Sequence, residues 1–177
     1  KEMGFDGIEF IGLVNEKWGI TGDPIAIAKE VRAHCEKIGL EIIAYTIGAD
    51  LLNGRGVPAE EEPARLKHCV DICKALGAPV MRHDVAWGLP EGMTWEEGIE
   101  VLIPRIREVT EYAATQGVRT CTENHGHICQ DSERVEKFML GVNHPNFGWL
   151  VDIGNFLCAD CDVVRAVSTA APYTYHV

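Results

Sequence analysis

No apolar run in the 177-residue chain approaches the ~20 residues that a membrane-spanning helix needs, and no signal-peptide pattern is visible. Clusters of lysine and arginine are also missing, and the formal net charge is −11. That balance disfavours duplex nucleic acid and anionic membranes as partners. A glycine-rich phosphate loop is absent, which argues against a dinucleotide-binding sheet. Seven cysteines, an odd number scattered through apolar segments, do not make a disulfide framework. They read as the reduced thiols of a cytoplasmic protein. The chain also has no initiating methionine: it opens at Lys1 and runs within a few residues into strand-like sequence. It stops at Val177, at the end of another such run. Residues 1–177 therefore read as one domain present in part and trimmed at both ends. An apolar content of 46% and a charged content of 24% are ordinary for a globular domain with a real core.

What is present is an alternation. Strand-like runs lie at Gly7–Phe10, Glu41–Ile47, Pro79–His83, Val118–Glu123, Gly148–Asp152 and Tyr173–Val177. Helical patterns separate them. Asp23-Pro24 opens the first, with proline at the first helical position. The second spans Glu60–Leu76, its Glu60-Glu61-Glu62 reading as a solvated N-terminus. Thr94 and Glu97 form a capping box for the third, which runs to Gln116 and which Pro104 is expected to kink or split. Ser132–Leu140 and Cys161–Ala170 are the fourth and fifth. Lys37-Ile38-Gly39-Leu40, Ala75-Leu76-Gly77-Ala78 and Thr115-Gln116-Gly117-Val118 each place glycine between a helix and a strand, where a left-handed C′ residue belongs. The repeat, roughly 35–40 residues, is the length of a βα unit. Regular βα units without a phosphate loop predict a (β/α)₈ TIM barrel, of which about six strands are present.

In such a barrel, chemistry sits at the C-terminal ends of the strands. Those ends here carry Glu9, Tyr45, Thr46, Arg82, His83, Asp84, Glu123, Asn124, His125, Asp152, Asn155 and His176. Three successive strand-like runs deliver Glu123, Asp152 and His176, a set that suits a divalent metal.

The segments Gly4-Phe5-Asp6-Gly7-Ile8-Glu9, Leu76-Gly77-Ala78-Pro79-Val80-Met81-Arg82, Glu123-Asn124-His125-Gly126, Val151-Asp152-Ile153-Gly154-Asn155 and Tyr175-His176-Val177 occur in that order. In this the chain resembles the sugar isomerase/epimerase superfamily with the xylose-isomerase-like barrel. That superfamily includes ketose 3-epimerases, hydroxypyruvate isomerase and inosose dehydratase, with endonuclease IV more distant. The resemblance implies that strands 2 to 7 are present. It also implies that Glu123, Asp152 and His176 bind the metal, with a fourth ligand, a glutamate, beyond Val177. Family members usually place histidine three residues after the aspartate; this chain has Asn155, which can hydrogen-bond but cannot titrate.

The implied function is a divalent-metal-dependent sugar isomerase or epimerase. Such an enzyme removes a proton next to a carbonyl and passes through a metal-stabilised enediolate. Mn²⁺ is the expected cofactor, with Mg²⁺, Co²⁺ or Zn²⁺ as alternatives. Glu123 is the expected base. His125, Asn155, Arg82 and Glu9 are the expected substrate contacts, and Trp18 and Trp87 would line the sugar pocket. The partner is a small sugar or sugar-derived molecule, with a homo-oligomer or a hetero-subunit expected. A lyase or dehydratase on the same scaffold, cleaving an inosose, a 3-oxo-glycoside or a C-glycoside, is the alternative reaction. An endonuclease IV-like nuclease and a non-catalytic partner subunit complete the alternatives.

Blander readings stand beside these. Asp152 would cap the turn before Asn155, and Arg82 would pair only with Asp84 or another rim carboxylate. His34, His68, His127 and His144 read as surface or packing residues. The Cys158-Ala159-Asp160-Cys161 spacing lacks the context of a zinc or redox site and reads as buried or half-buried thiols.

Overall fold

The structure, a computed structural model, describes residues 1–159 and 162–177. Six strands form one parallel sheet in sequential order: β1 (Gly7–Ile11), β2 (Glu41–Ile47), β3 (Val80–His83), β4 (Arg119–Glu123), β5 (Phe147–Leu150) and β6 (Thr174–His176). Helices α1 (Pro24–Ile38), α2 (Glu62–Leu76), α3 (Trp95–Gln116), α4 (Ser132–Val142), α5 (Asn155–Cys158) and α6 (Val163–Ala170) connect them. Sequential parallel order with a helix in each crossover is the architecture of a βα barrel, here with six of eight strands.

Local chemistry sets the helix limits. Asp23 accepts from the amides of Ile25 and Ala26, both at 3.2 Å, and Pro24 fills the first turn of α1. Thr94 and Glu97 make the reciprocal capping box at the start of α3. Gly39, Gly77 and Gly117 close α1, α2 and α3 at φ of 67°, 81° and 74°, a region costly to any residue with a Cβ.

The core lies between the sheet and its helices. Leu66, Val70, Cys73 and Leu76 of α2 and Leu102, Ile106, Val109 and Ala113 of α3 are fully buried. Each large aliphatic among them contributes about 1.5–3 kcal/mol of transfer free energy. The strand pleat sorts β4: Thr120 faces outward, its hydroxyl 3.0 Å from that of Thr110 on α3, while Glu123 faces inward toward Arg82 of β3.

Three expectations need correction. Pro104 does not split α3, which runs unbroken over 22 residues. Both Pro104 and Glu100, whose carbonyl loses its partner, lie on the exposed face, where water can take the place of the missing N–H. Glu62 is not a solvated N-terminal charge. It is fully buried, pairs with Arg65 at 2.7 Å and accepts the Asp50 amide at 3.0 Å. Asp152 lies beyond β5, which ends at Leu150, because Asn124 diverts the chain there. The Cys158–Cys161 spacing has its second half outside the described residues; Cys158 itself is exposed and free.

Candidate active site

Arg82 organises the C-terminal face of the sheet. One nitrogen, Nη2, lies 2.7 Å from Asp84 Oδ1 and 2.8 Å from Glu123 Oε2. The Arg82 and Asp84 side chains are almost wholly buried, and Glu123 retains 17% exposure. The two hydrogens on Nη2 are thus both used. His125 Nδ1, 3.1 Å from Asp84 Oδ1, must then be the donor of that bond rather than an acceptor from Arg82. Asp84 fixes His125 with its other ring nitrogen unprotonated in the neutral form.

Glu123 is held from both sides. Asn155 donates Nδ2–H to Oε1 at 3.0 Å, opposite the Arg82 contact on Oε2. Burial raises the pKa of Glu123 from its ordinary value, and the Asp152 and Asp84 charges push the same way; Arg82 and His125 oppose the shift. The result is a carboxylate of enhanced proton affinity at the end of a barrel strand.

Asn124, next in sequence and fully buried, is a site residue to which the sequence assigned no role. Its Nδ2 donates to the Asp152 carbonyl at 2.7 Å. Its Oδ1 accepts from the Asp152 amide at 2.9 Å and from Trp149 Nε1 at 3.2 Å. The backbone of Asp152 is therefore clamped beside Glu123. Its Oδ1 also accepts the Asn155 amide at 3.0 Å, the turn-capping bond anticipated as the blander reading. The signal for Asn124 was its place directly after a strand-end glutamate: the pleat turns it away from the interior, toward the neighbouring strand end.

At the sheet's edges, His176 Nε2 lies 3.1 Å from Glu9 Oε2, so side chains from the first and last strands meet. The Thr46 hydroxyl donates to Glu9 Oε1. Trp87 sits edge-on to His125 with ring centroids 5.0 Å apart, whereas Trp18 is 78% exposed on a short 3-10 turn. The loop bearing Trp87 is tied down by Leu51 N–H donating to the Val85 carbonyl at 2.7 Å and Asn53 Nδ2 to that of Gly88 at 2.9 Å. Gly126 packs beside this loop at φ 78°, a backbone conformation that residues with a Cβ rarely adopt.

Strand ends β3 and β4 carry unmet polar groups. Among the described residues, Arg82 Nε, His83 Nε2, Thr122 Oγ1 and Trp95 Nε1 are buried without a hydrogen-bond partner. Three of these four lie on β3 or β4, and of these Arg82 is on the interior face with Glu123.

Glu123 and Asp152 are electrostatically coupled neighbours, but His176 is turned to Glu9. Among the described residues, no group of three or more His, Cys, Asp or Glu side chains gathers at metal-binding distance. The donor chemistry nonetheless fits a divalent cation. Two carboxylates and an imidazole are hard-to-borderline ligands, and a cation beside Glu123 and Asp152 would relieve the repulsion that adds to the effect of burial on Glu123. Cys121 on the same strand does not join them, since burial pushes its thiol up to about 12.

Comparison with known proteins bears on this arrangement. The family model for the xylose isomerase-like TIM barrel matches residues 1–177. No curated protein matches the sequence. Among solved structures, 3-keto-D-glucoside 4-epimerase YcjR from E. coli superposes with a TM-score of 0.79 at 16% identity, covering 99% of this chain and 69% of that one. The probable 3-DHS dehydratase AsbF, involved in petrobactin synthesis in Bacillus anthracis, gives 0.76 at 19% identity, with 99% and 62% covered. IolI, solved with a bound zinc atom, gives 0.75 at 16% identity, with 94% and 59% covered.

Proposed function

We propose, for a chain that belongs to the xylose isomerase-like TIM barrel family, a divalent-metal-dependent carbohydrate isomerase or epimerase. The reaction is removal and return of a proton on the carbon next to a carbonyl. The observation that carries this reading is Glu123: a half-buried carboxylate of raised proton affinity, gripped by Arg82 and Asn155 beside Asp152. A base that must take a weakly acidic C–H proton near neutral pH needs that raised affinity.

Glu123, Asp152 and His176 are the residues that would hold the metal, Mn²⁺ in the first instance. When bound, it supplies Lewis-acid polarisation of the substrate carbonyl. Glu123 takes the proton. Asp84 and Arg82 hold Glu123 and His125 in place. His125 and Asn155 present polar atoms to substrate oxygens, and Trp87 offers an apolar face to the C–H side of a sugar ring. Arg82 has so many protein partners that we assign it to shaping the site and, through its remaining donors, to substrate contact. Sugar-derived small molecules are the substrate class, in keeping with the epimerase among the structural neighbours.

A lyase or dehydratase is the second reading. Asn155 favours it: it bonds Glu123 but cannot carry a proton to the opposite face of a substrate. The same proton removal, followed by loss of a β-leaving group, then ends the reaction. Proton NMR of ketoses, inososes and 3-oxo-glycosides incubated with Mn²⁺-loaded protein separates the outcomes. An epimeric or isomeric product supports the first reading and release of a leaving group the second. Unchanged spectra for every substrate, with metal verified in the protein, would remove both.

A further inference from the structure

We infer that Glu9 is a positioning residue for His176: its carboxylate, together with the Val177 amide, holds the imidazole as the Nε2–H tautomer, whose unprotonated Nδ1 would be the nitrogen open to a cation. The inference rests on the metal reading above for its purpose, but not for its geometry. Two independent contacts define the tautomer. The Val177 amide N–H points at His176 Nδ1 over 2.9 Å, so Nδ1 is an acceptor and carries no proton. The ring proton is therefore on Nε2, 3.1 Å from Glu9 Oε2, which accepts it. The other Glu9 oxygen is held by the Thr46 hydroxyl, so the carboxylate is itself oriented.

The backbone around this chain of bonds is fixed. His176 pairs with Leu150 in the β5–β6 ladder, and its carbonyl accepts the Val151 amide at 2.9 Å. Thr46 pairs with Ile11 across β1 and β2. A register shift between Ile8 and Glu9 sets the placement of Glu9 relative to β2. With both oxygens engaged, Glu9 has less capacity for substrate than a free rim carboxylate. Its arrangement is that of a carboxylate behind a ligating histidine, in which the partner fixes ring orientation and raises ligand basicity. A cation at His176 would take the Nδ1 lone pair now directed at the Val177 amide.

The test uses ¹⁵N-histidine-labelled protein without metal, followed by Zn²⁺ titration calorimetry, on the wild type and on Glu9→Ala and Thr46→Val. Two-bond ¹H–¹⁵N correlation of His176 is expected to show the Nε2–H tautomer in the wild type, and a mixture of tautomers in Glu9→Ala. Thr46→Val, which leaves the carboxylate but removes its orienting donor, is expected to give an intermediate pattern. Zn²⁺ affinity is expected to drop about 10–100-fold in Glu9→Ala. An unchanged His176 tautomer in both folded variants overturns the inference whatever the metal does. Absence of Zn²⁺ binding by the wild type, with the tautomer still dependent on Glu9, would instead strike the metal reading.

Discussion

Arg82 holds Glu123 through a single guanidinium nitrogen, Nη2, at 2.8 Å from Oε2, while the same nitrogen engages Asp84 at 2.7 Å. One buried cation thus compensates two carboxylates, one at the end of β4 and one just beyond β3, and the site's first prediction concerns its removal. Arg82→Met leaves Asp84 and Glu123 without their counter-charge in a desolvated setting. A loss of about 3–5 kcal/mol is expected, read from urea denaturation at pH 7. Combining it with Asp84→Asn should recover part of that loss; a strictly additive double variant would mean the charges are not coupled.

Asn124→Ala should destabilise by about 2–3 kcal/mol, because it strands the Trp149 indole N–H together with the Asp152 amide and carbonyl. Near-UV circular dichroism of Trp149 should weaken in the folded variant. A silent substitution would show that the Asp152 backbone is held by other means.

His83 sets a pH dependence. Burial lowers its pKa from 6.5, and its Nδ1–H donates to the Asp84 carbonyl at 2.9 Å. A depressed folded-state pKa means that the stability contribution is complete above 6.5 and is lost as pH falls toward the folded value. Stability should therefore fall from this group as the pH drops below 6.5. His83→Asn keeps a donor without titrating. Its denaturation midpoint should lack that slope, and an identical slope would assign the pH dependence elsewhere.

Pro104→Ala should stabilise α3 by about 1–2 kcal/mol, since it restores a helical N–H to the Glu100 carbonyl on an exposed face. Part of the gain is offset by the greater freedom of the unfolded chain. A lower thermal midpoint for the variant would mean that proline is required there.

The six strands, the alternating helices and the glycine C-caps were legible in the sequence because each rests on short-range chemistry. Asp23, Thr94 and Gly39 act on amides and carbonyls within a few residues. Among the residues expected at the site, Arg82 and Asn155 both meet Glu123, His125 meets Asp84, and Glu9 meets His176 as a separate pair. The sequence offered the pairing of Arg82 with Asp84 or another rim carboxylate only as the blander reading. That Arg82 serves Asp84 and Glu123 at once depends on the β3–β4 register, in which Arg82 lies opposite Cys121. The clamp by Asn124 depends on bringing that side chain against the Asp152 turn, 28 residues along the chain. Glu62 pairs locally with Arg65, one helical turn on, but its burial against the Asp50 amide comes only when the β2–α2 loop folds back.

Hydrogen exchange at the carbon beside the carbonyl tests the central claim most directly. The protein, loaded with Mn²⁺ in D₂O, is incubated with ketoses and 3-oxo-glycosides, with Glu123→Gln as the paired control. The account predicts deuterium at that carbon, followed by mass spectrometry, and a drop of about 100-fold or more in the exchange rate for Glu123→Gln. Exchange that persists undiminished in the folded Glu123→Gln protein would contradict the assignment of Glu123 as the base on which the whole reading of the site depends.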